Sequence, residues 1–411
     1  MSSAVTSTPG TGHGADASAS TTSETALSQL LGPVATRTFF REYFGRRGLH
    51  IPGSMLGQPL FGWEQLNALL NHHKGLPAGA KILSDGKEQT PADYLVLLRD
   101  IRRGLTMFFE DIDRHDPTLS QFLNRLSRDL QSPTRFNMYL SSPGQQGRKL
   151  HYDTHDVFVV QIEGSKRWTI NEITDRSPIY TRKNHDADSP AEQNPYLDCT
   201  LRKGDVLYLP RGHWHNVNPV DEVSLHLTLG VFLPNGIELL QWLADECTEV
   251  EAARENIPLR IAFASDEEYL HARKSFVTRI LGVFAARAQS DAVAEEYDSF
   301  CVASLPNRAP FNFPFSVARD DLMPKEGARL RAINHNAKIV ATADAASASL
   351  VYSNRVITVP MSLVDLLREL LSGNPFTIDA IARLAPEHDA QIRTLIRALV
   401  AEGLVIPATS V

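Results

Sequence analysis

The chain has 411 residues, 43% of them apolar and 22% charged, with a formal net charge of −7. This is globular composition in a chain too long for one ordinary domain, so two or three packed units are expected. The mild charge gives no nucleic-acid footprint and no polyacidic tail, and no stretch approaches the roughly 18 consecutive apolar residues that a membrane-spanning helix needs.

Cys199, Cys247 and Cys301 are widely spaced and odd in number, which argues against a disulfide framework and a thiolate zinc site. A reducing, cytoplasmic setting is expected. Residues 1–23 are Ser, Thr, Ala and Gly without an apolar run, and the first basic residue is Arg37. They read as a disordered tail, not as a secretory signal or an Arg-rich transit peptide.

From Thr36 to Leu49, Phe39, Phe40, Tyr43 and Phe44 recur at helical spacing, with Gly48 and Pro52 as stop signals. Residues 60–131 continue in a mostly helical pattern through GWEQLNALLNHH, TPADYLVLLRDI and PTLSQFLNRLSRDL, with LTMFFEDI compatible with a strand. The pattern then changes to short runs rich in Val, Ile, Phe, Tyr and Thr, namely TRFNMYLSS, HDVFVVQIEG, KRWTIN, GDVLYLPRG and VSLHLTLGVFL. Turn residues separate them, which predicts a sandwich or barrel. After Pro234 the helical period returns as far as about residue 302. Beyond the Pro-rich PNRAPFNFPF come short strands (KIVAT, LVYSNRVITVP), three helical runs and a terminal GLVIP. They suggest a small α+β module resembling a winged helix.

The chemistry-bearing cluster is KLHYDTHDVFVVQIEGSKRW, residues 149–168. On a half-buried strand the side chains alternate with period two, so His151, Asp153 and His155 would share one face with Val157, Val159 and Gln161. His151 and Asp153 can then reach one metal together. The best source of a third ligand is KGDVLYLPRGHWHNV, where a strand ends at Pro210 and a turn delivers His213 and His215. Two imidazoles and one carboxylate with open positions suit non-haem Fe(II) oxygenases, but zinc hydrolases use the same ligand types, so the triad alone leaves the metal open.

These two segments resemble the JmjC-type cupin oxygenases that depend on Fe(II) and 2-oxoglutarate, in particular the ribosomal oxygenases. The pattern is H-x-D-x-x-D-V-F, a Gly turn, K/R-x-W, then G-D-x-L-Y-x-P-x-G-x-x-H, and the likeness is continuous over residues 134–232. It implies an α+β fold with a double-stranded β-helix core. By resemblance, residues 24–233 form the cupin domain with its N-terminal helices, 234–305 a helical dimerisation region and 306–411 the winged-helix-like domain.

The resemblance also implies the ligands His151, Asp153 and His215. It places Lys166 on the distal carboxylate of 2-oxoglutarate, where a buried cation is also required physically. Asn137 and Tyr139 match positions that assist co-substrate binding in some of these enzymes. His226 and Thr228, at alternate strand positions, are added as candidates for the same interior. His155 and His213 read as hydrogen-bonded neighbours, not ligands, with Asp156 structural and Trp168 in the core.

The implied reaction is hydroxylation of an amino-acid side chain in a protein or peptide, typically Arg or His of a ribosomal protein, using O2. A tailoring hydroxylase of a peptide natural product or small molecule, and a non-catalytic cupin binding protein, are the competing readings. The chain departs from the family at RRGLHIPG, where a Lys-Pro-Leu segment is usual, and the loop TRKNHDADSPAEQNP matches no assignable pattern. The C-terminal helix carries Arg393 and Arg397 but no basic run, so packing or substrate docking suits that module better than DNA.

Overall fold

The computed structural model describes residues 25–72, 76–84, 87–143, 150–180, 194–218, 222–306, 324–325, 327–332, 337–341, 346–352, 355–371 and 374–408. The tail 1–23, the loop 181–193 and nearly all of the Pro-rich boundary after Pro306 lie outside the described residues.

Two short helices, α1 (Ala26–Leu31) and α2 (Thr36–Glu42), precede strand β1 (Leu49–Ile51). The aromatic helix is shorter than its periodicity predicts. Tyr43 caps it, and Gly45 turns the chain at φ 65° with its N–H donated to the Tyr208 hydroxyl, which frees residues 49–51 to pair with a strand. Next come α3 (Trp63–His72), β2 (Ala80–Ser84), β3 (Lys87–Gln89), α4 (Tyr94–Arg102), β4 (Thr106–Phe109) and α5 (Pro117–Leu130). Asp93 and Asp116 accept from the first turns of α4 and α5, and Pro117 starts α5 where no N–H is needed. Strands β2 and β3 interrupt what the sequence pattern presents as a helical region.

The central strands are β5 (Thr134–Ser141), β6 (Asp156–Glu163), β7 (Ser165–Ile173), β8 (Leu197–Arg202), β9 (Val206–Leu209), β10 (His213–Asn218) and β11 (Ser224–Val231). They form an eight-stranded sheet ordered β1-β9-β6-β11-β5-β4-β2-β3 and a three-stranded sheet ordered β10-β7-β8. Every pairing in both is antiparallel.

Period-two alternation gives the large sheet two faces. Phe136, Met138, Phe158, Val160, Leu227 and Leu229 join Leu27, Leu30, Phe39, Phe122 and Leu126 of the helices in one core. Val157, Val159, Leu207 and Leu209 point the other way and pack on Trp168, Ile170 and Leu201 of the small sheet. Each fully buried Leu or Phe contributes roughly 1.5–3 kcal/mol.

Residues 151–155 do not extend β6, as the alternation argument supposed. His151 pairs with His215 across an isolated bridge, and β6 begins only at Asp156, where it pairs with β9 and β11. The chain therefore crosses from the small sheet to the large one over residues 152–155. A turn after Pro210 does deliver His213 and His215, and both lie on β10, opposite β7.

Four helices follow: α6 (Gly236–Glu246), α7 (Glu251–Arg254), α8 (Asp266–Ala288) and α9 (Val293–Ala303). Asn235 and Glu238 close a capping box on α6. The C-terminal part has β12 (Leu330–Ala332), β13 (Lys338–Ala341), β14 (Ser347–Tyr352), β15 (Arg355–Pro360), α10 (Val364–Leu370), α11 (Ile378–Ala382), α12 (Asp389–Ala401) and β16 (Val405–Pro407). Strands β13, β14 and β15 form one sheet, β12 pairs with β16, and Leu350, Leu367, Ile396 and Leu399 share a separate core. Among the described residues no helix is long and apolar enough to cross a membrane.

Candidate metal centre

Between the two sheets lies a cavity of about 120 Å³. His151, Asp153 and His215 converge on it, with candidate ligand atoms all within 4.8 Å of one another. His215 Nε2 stands 3.7 Å from Asp153 Oδ2, and the two imidazole centroids are 4.3 Å apart. The backbone holds the pair: His151 and His215 exchange hydrogen bonds of 3.2 and 2.7 Å. Asp153 is held from behind, its carbonyl accepting the Gly212 N–H at 2.9 Å. His215 Nδ1 lies 3.1 Å from the His213 carbonyl, which fixes its proton there and leaves the Nε2 lone pair facing Asp153.

His213 is engaged elsewhere. The Tyr196 hydroxyl accepts the Gly48 N–H at 2.8 Å, so its own proton goes to His213 Nδ1, 2.9 Å away. Burial, helped by the nearby His215, pushes the His213 pKa down to about 4 and keeps the ring neutral. Asp156 is likewise tied into the frame, accepting from the Tyr208 hydroxyl at 2.7 Å and the Arg211 N–H at 2.9 Å. His155 lines the cavity but stacks on Phe232 with centroids 4.5 Å apart. The ring fits because residue 230 is Gly, where an added Cβ would stand 3.0 Å from His155 Cδ2.

Lys166 lines the same cavity and is 6% exposed. Its Nζ donates to Ser141 Oγ at 2.6 Å, and Ser141 shares a hydrogen bond of 2.9 Å with Thr106. No salt bridge to Lys166 occurs among the described residues, and burial pushes its pKa down to about 7. A buried ammonium bonded to a hydroxyl, with no salt bridge among the described residues, suits an anionic ligand. His226 is held neutral, its pKa pushed well down by burial and then by the Lys166 charge, and its ring stacks on Tyr139 with centroids 4.9 Å apart.

Asn137 and Thr228 also line the cavity; the Asn137 side-chain oxygen accepts the Asp111 N–H at 3.1 Å. The sequence reading passed over Ser141 and Thr106. Ser141 continues the inward phase of Asn137 and Tyr139 on β5, so alternation alone could have found it. Trp168, read as core, is buried and also lines the cavity.

Residues 113–239 match the family model of the JmjC domain. The matched segment resembles JmjC domains. It holds every polar residue of the cavity described here except Thr106. Among similar proteins are a Dictyostelium discoideum "bifunctional lysine-specific demethylase and histidyl-hydroxylase NO66", 26% identical over 226 residues, and "ribosomal oxygenase 1" of Rattus norvegicus, 30% identical over 223 residues. The first match covers 51% of this chain and 43% of the relative, the second 50% and 36%. The chain thus spans about half or less of the length of these relatives.

Among solved structures, Escherichia coli ycfD aligns with TM-score 0.61 at 19% identity, over 91% of this chain and 98% of that one. YcfD, a ribosomal oxygenase from Escherichia coli in complex with cobalt and 2-oxoglutarate, aligns with TM-score 0.58 at 16% identity over the same shares. These likenesses show that most of the chain shares that fold.

The residues lining the cavity fit a divalent metal with an anionic chelating co-substrate. Two imidazoles and one carboxylate are gathered with their ligand atoms within reach of one another, and the same cavity holds a lysine without a salt bridge among the described residues.

Proposed function

We propose that this protein is an Fe(II)- and 2-oxoglutarate-dependent dioxygenase that hydroxylates an amino-acid side chain in a protein or peptide. The observation that carries this reading is the buried Lys166, without a carboxylate partner among the described residues, in the cavity of a His-Asp-His cluster. A hydrolytic zinc site needs no such cation.

In this reading His151, Asp153 and His215 hold the iron. Lys166, braced by Ser141, holds the distal carboxylate of 2-oxoglutarate, with Asn137, Tyr139, His226 and Thr228 lining the co-substrate. Iron, 2-oxoglutarate and O2 together supply the oxidation, giving succinate, carbon dioxide and one oxygen atom inserted into a substrate C–H bond. The protein's own part is geometry: the backbone-paired histidines set the metal position, and the closely packed sheets limit access of water.

The names of the relatives, a histidyl-hydroxylase and a ribosomal oxygenase, support a ribosomal-protein substrate with His as the oxidised residue, and Arg is the alternative that the family resemblance implies. We infer a cytoplasmic enzyme with boundaries near 233/234 and 305/306 and a winged-helix-like C-terminal domain. A second copy of the chain is the inferred partner of the helical region, because α8 buries none of its 23 residues and exposes Leu270, Val277 and Leu281.

The test is succinate release from 2-oxoglutarate with Fe(II), combined with mass spectrometry of a lysate from a strain lacking the protein. The expected result is Fe(II)-dependent succinate and a peptide heavier by one oxygen atom. Metal and co-substrate binding without turnover on any ribosomal protein would favour a non-catalytic cupin.

A further inference from the structure

Around the cavity, three buried side chains have hydrogen-bonding capacity that no partner among the described residues uses. Lys166 commits one donor to Ser141, whereas an ammonium carries three. His226 Nδ1 and the indole Nε1–H of Trp168 are buried without a hydrogen-bond partner among the described residues. Both side chains line the cavity and are only 3% exposed. Buried polar groups in native proteins are almost always paired, so two orphans beside an unopposed cation indicate a shared ligand.

The position of Trp168 narrows its role. It lies two residues after Lys166 on β7, so both side chains leave the strand on the same face. Its ring centroid stands 5.9 Å from that of His215 and 5.7 Å from that of His226. The indole therefore stands near both a candidate metal ligand and the histidine that feels the Lys166 charge. A ligand spanning from the metal to Lys166 passes this ring. An indole nitrogen only donates, so the ligand must offer an acceptor there, and a 2-oxo dicarboxylate offers oxygens at both ends.

Resting on the function above, we propose that Trp168 is a co-substrate-binding residue whose Nε1–H donates to an oxygen of bound 2-oxoglutarate. Lys166 supplies the compensating charge, and Trp168 supplies a directed hydrogen bond that selects the orientation of the dicarboxylate. Tryptophan at this position is then required for its nitrogen as well as for its bulk.

Trp168→Phe keeps an aromatic ring and deletes the donor. In calorimetric titrations of the full-length, Mn(II)-loaded protein with 2-oxoglutarate under nitrogen, the variant's Kd should rise about tenfold to a hundredfold, the range for a hydrogen bond to a charged group. Its Mn(II) affinity should not change. In the Zn(II)-loaded wild-type protein, one of the four tryptophan indole N–H resonances should move downfield when 2-oxoglutarate is added, and W168F should lack that resonance.

If W168F does not fold, the wild-type spectrum decides alone. Equal Kd values in a folded W168F, or four indole resonances unmoved at saturating 2-oxoglutarate, would overturn the proposal. A wild-type protein that binds no 2-oxoglutarate at all would instead remove the enzymatic reading on which it rests.

Discussion

The two faces of the same β-strands have opposite chemistry. On β5, β6 and β11, Phe136, Met138, Phe158, Val160, Leu227 and Leu229 face the helices and form an apolar core. One residue away along β5 and β11, Asn137, Tyr139, His226 and Thr228 face a cavity that also holds Lys166 and the His-Asp-His cluster. Stability is concentrated on one side of a single layer of backbone and chemistry on the other. The lesson is that a substitution should damage either folding or binding according to its parity along the strand.

The largest expected effect is on the chemical face. His215→Ala should abolish Fe(II)-dependent succinate production, a loss on the order of a thousandfold or more, because the remaining pair no longer defines a metal site. Its circular dichroism should stay near wild type, and unchanged turnover would break the ligand assignment.

Lys166→Met should weaken 2-oxoglutarate binding by about a hundredfold or more, since losing one partner of a buried charge pair costs roughly 3–5 kcal/mol. Calorimetry with the Mn(II) protein reads this directly.

On the other face Leu229→Ala should cost about 2–5 kcal/mol in urea unfolding, because Leu229 is fully buried in the helix-facing core. Co-substrate affinity of the folded variant should not move. A loss of affinity without a loss of stability would show that the two faces are not separable.

The last effect sharpens the comparison most. Burial lowers the Lys166 pKa from 10.5 unfolded to about 7 folded, so between those values the unfolded chain binds more protons and stability rises with pH. The cost of the buried charge is complete below the folded pKa and fades above it. Lys166→Met should therefore stabilise the ligand-free protein, by on the order of a few kcal/mol at neutral pH or below, with the gain shrinking in alkali. An equal gain at all pH values would place the charge in solvent.

Much of this was legible in the sequence because alternation is local. HxD needed the family pattern, and the Lys two residues before Trp168 and the inward phase of RFNMYL needed period two beside it. What could not be read depends on partners far away in the chain. The crossing between sheets over residues 152–155 follows from His151 pairing with His215, and no periodicity within the segment announces it. Strands β1, β2 and β8 are short and half-polar, so their existence is decided by the neighbours that pair with them. Trp168, correctly read as core, shows a different limit. Its bulk predicts burial correctly, and burial says nothing of whether the indole nitrogen has found an acceptor.

The isolated bridge between His151 and His215 has a thermodynamic meaning. Two residues that trade both of their backbone hydrogen bonds cannot drift apart without unmaking them, so the spacing of the imidazole roots is set before any ion arrives. Little chain entropy is then left to lose when the clasp closes on a cation, and more of the coordination energy appears as affinity.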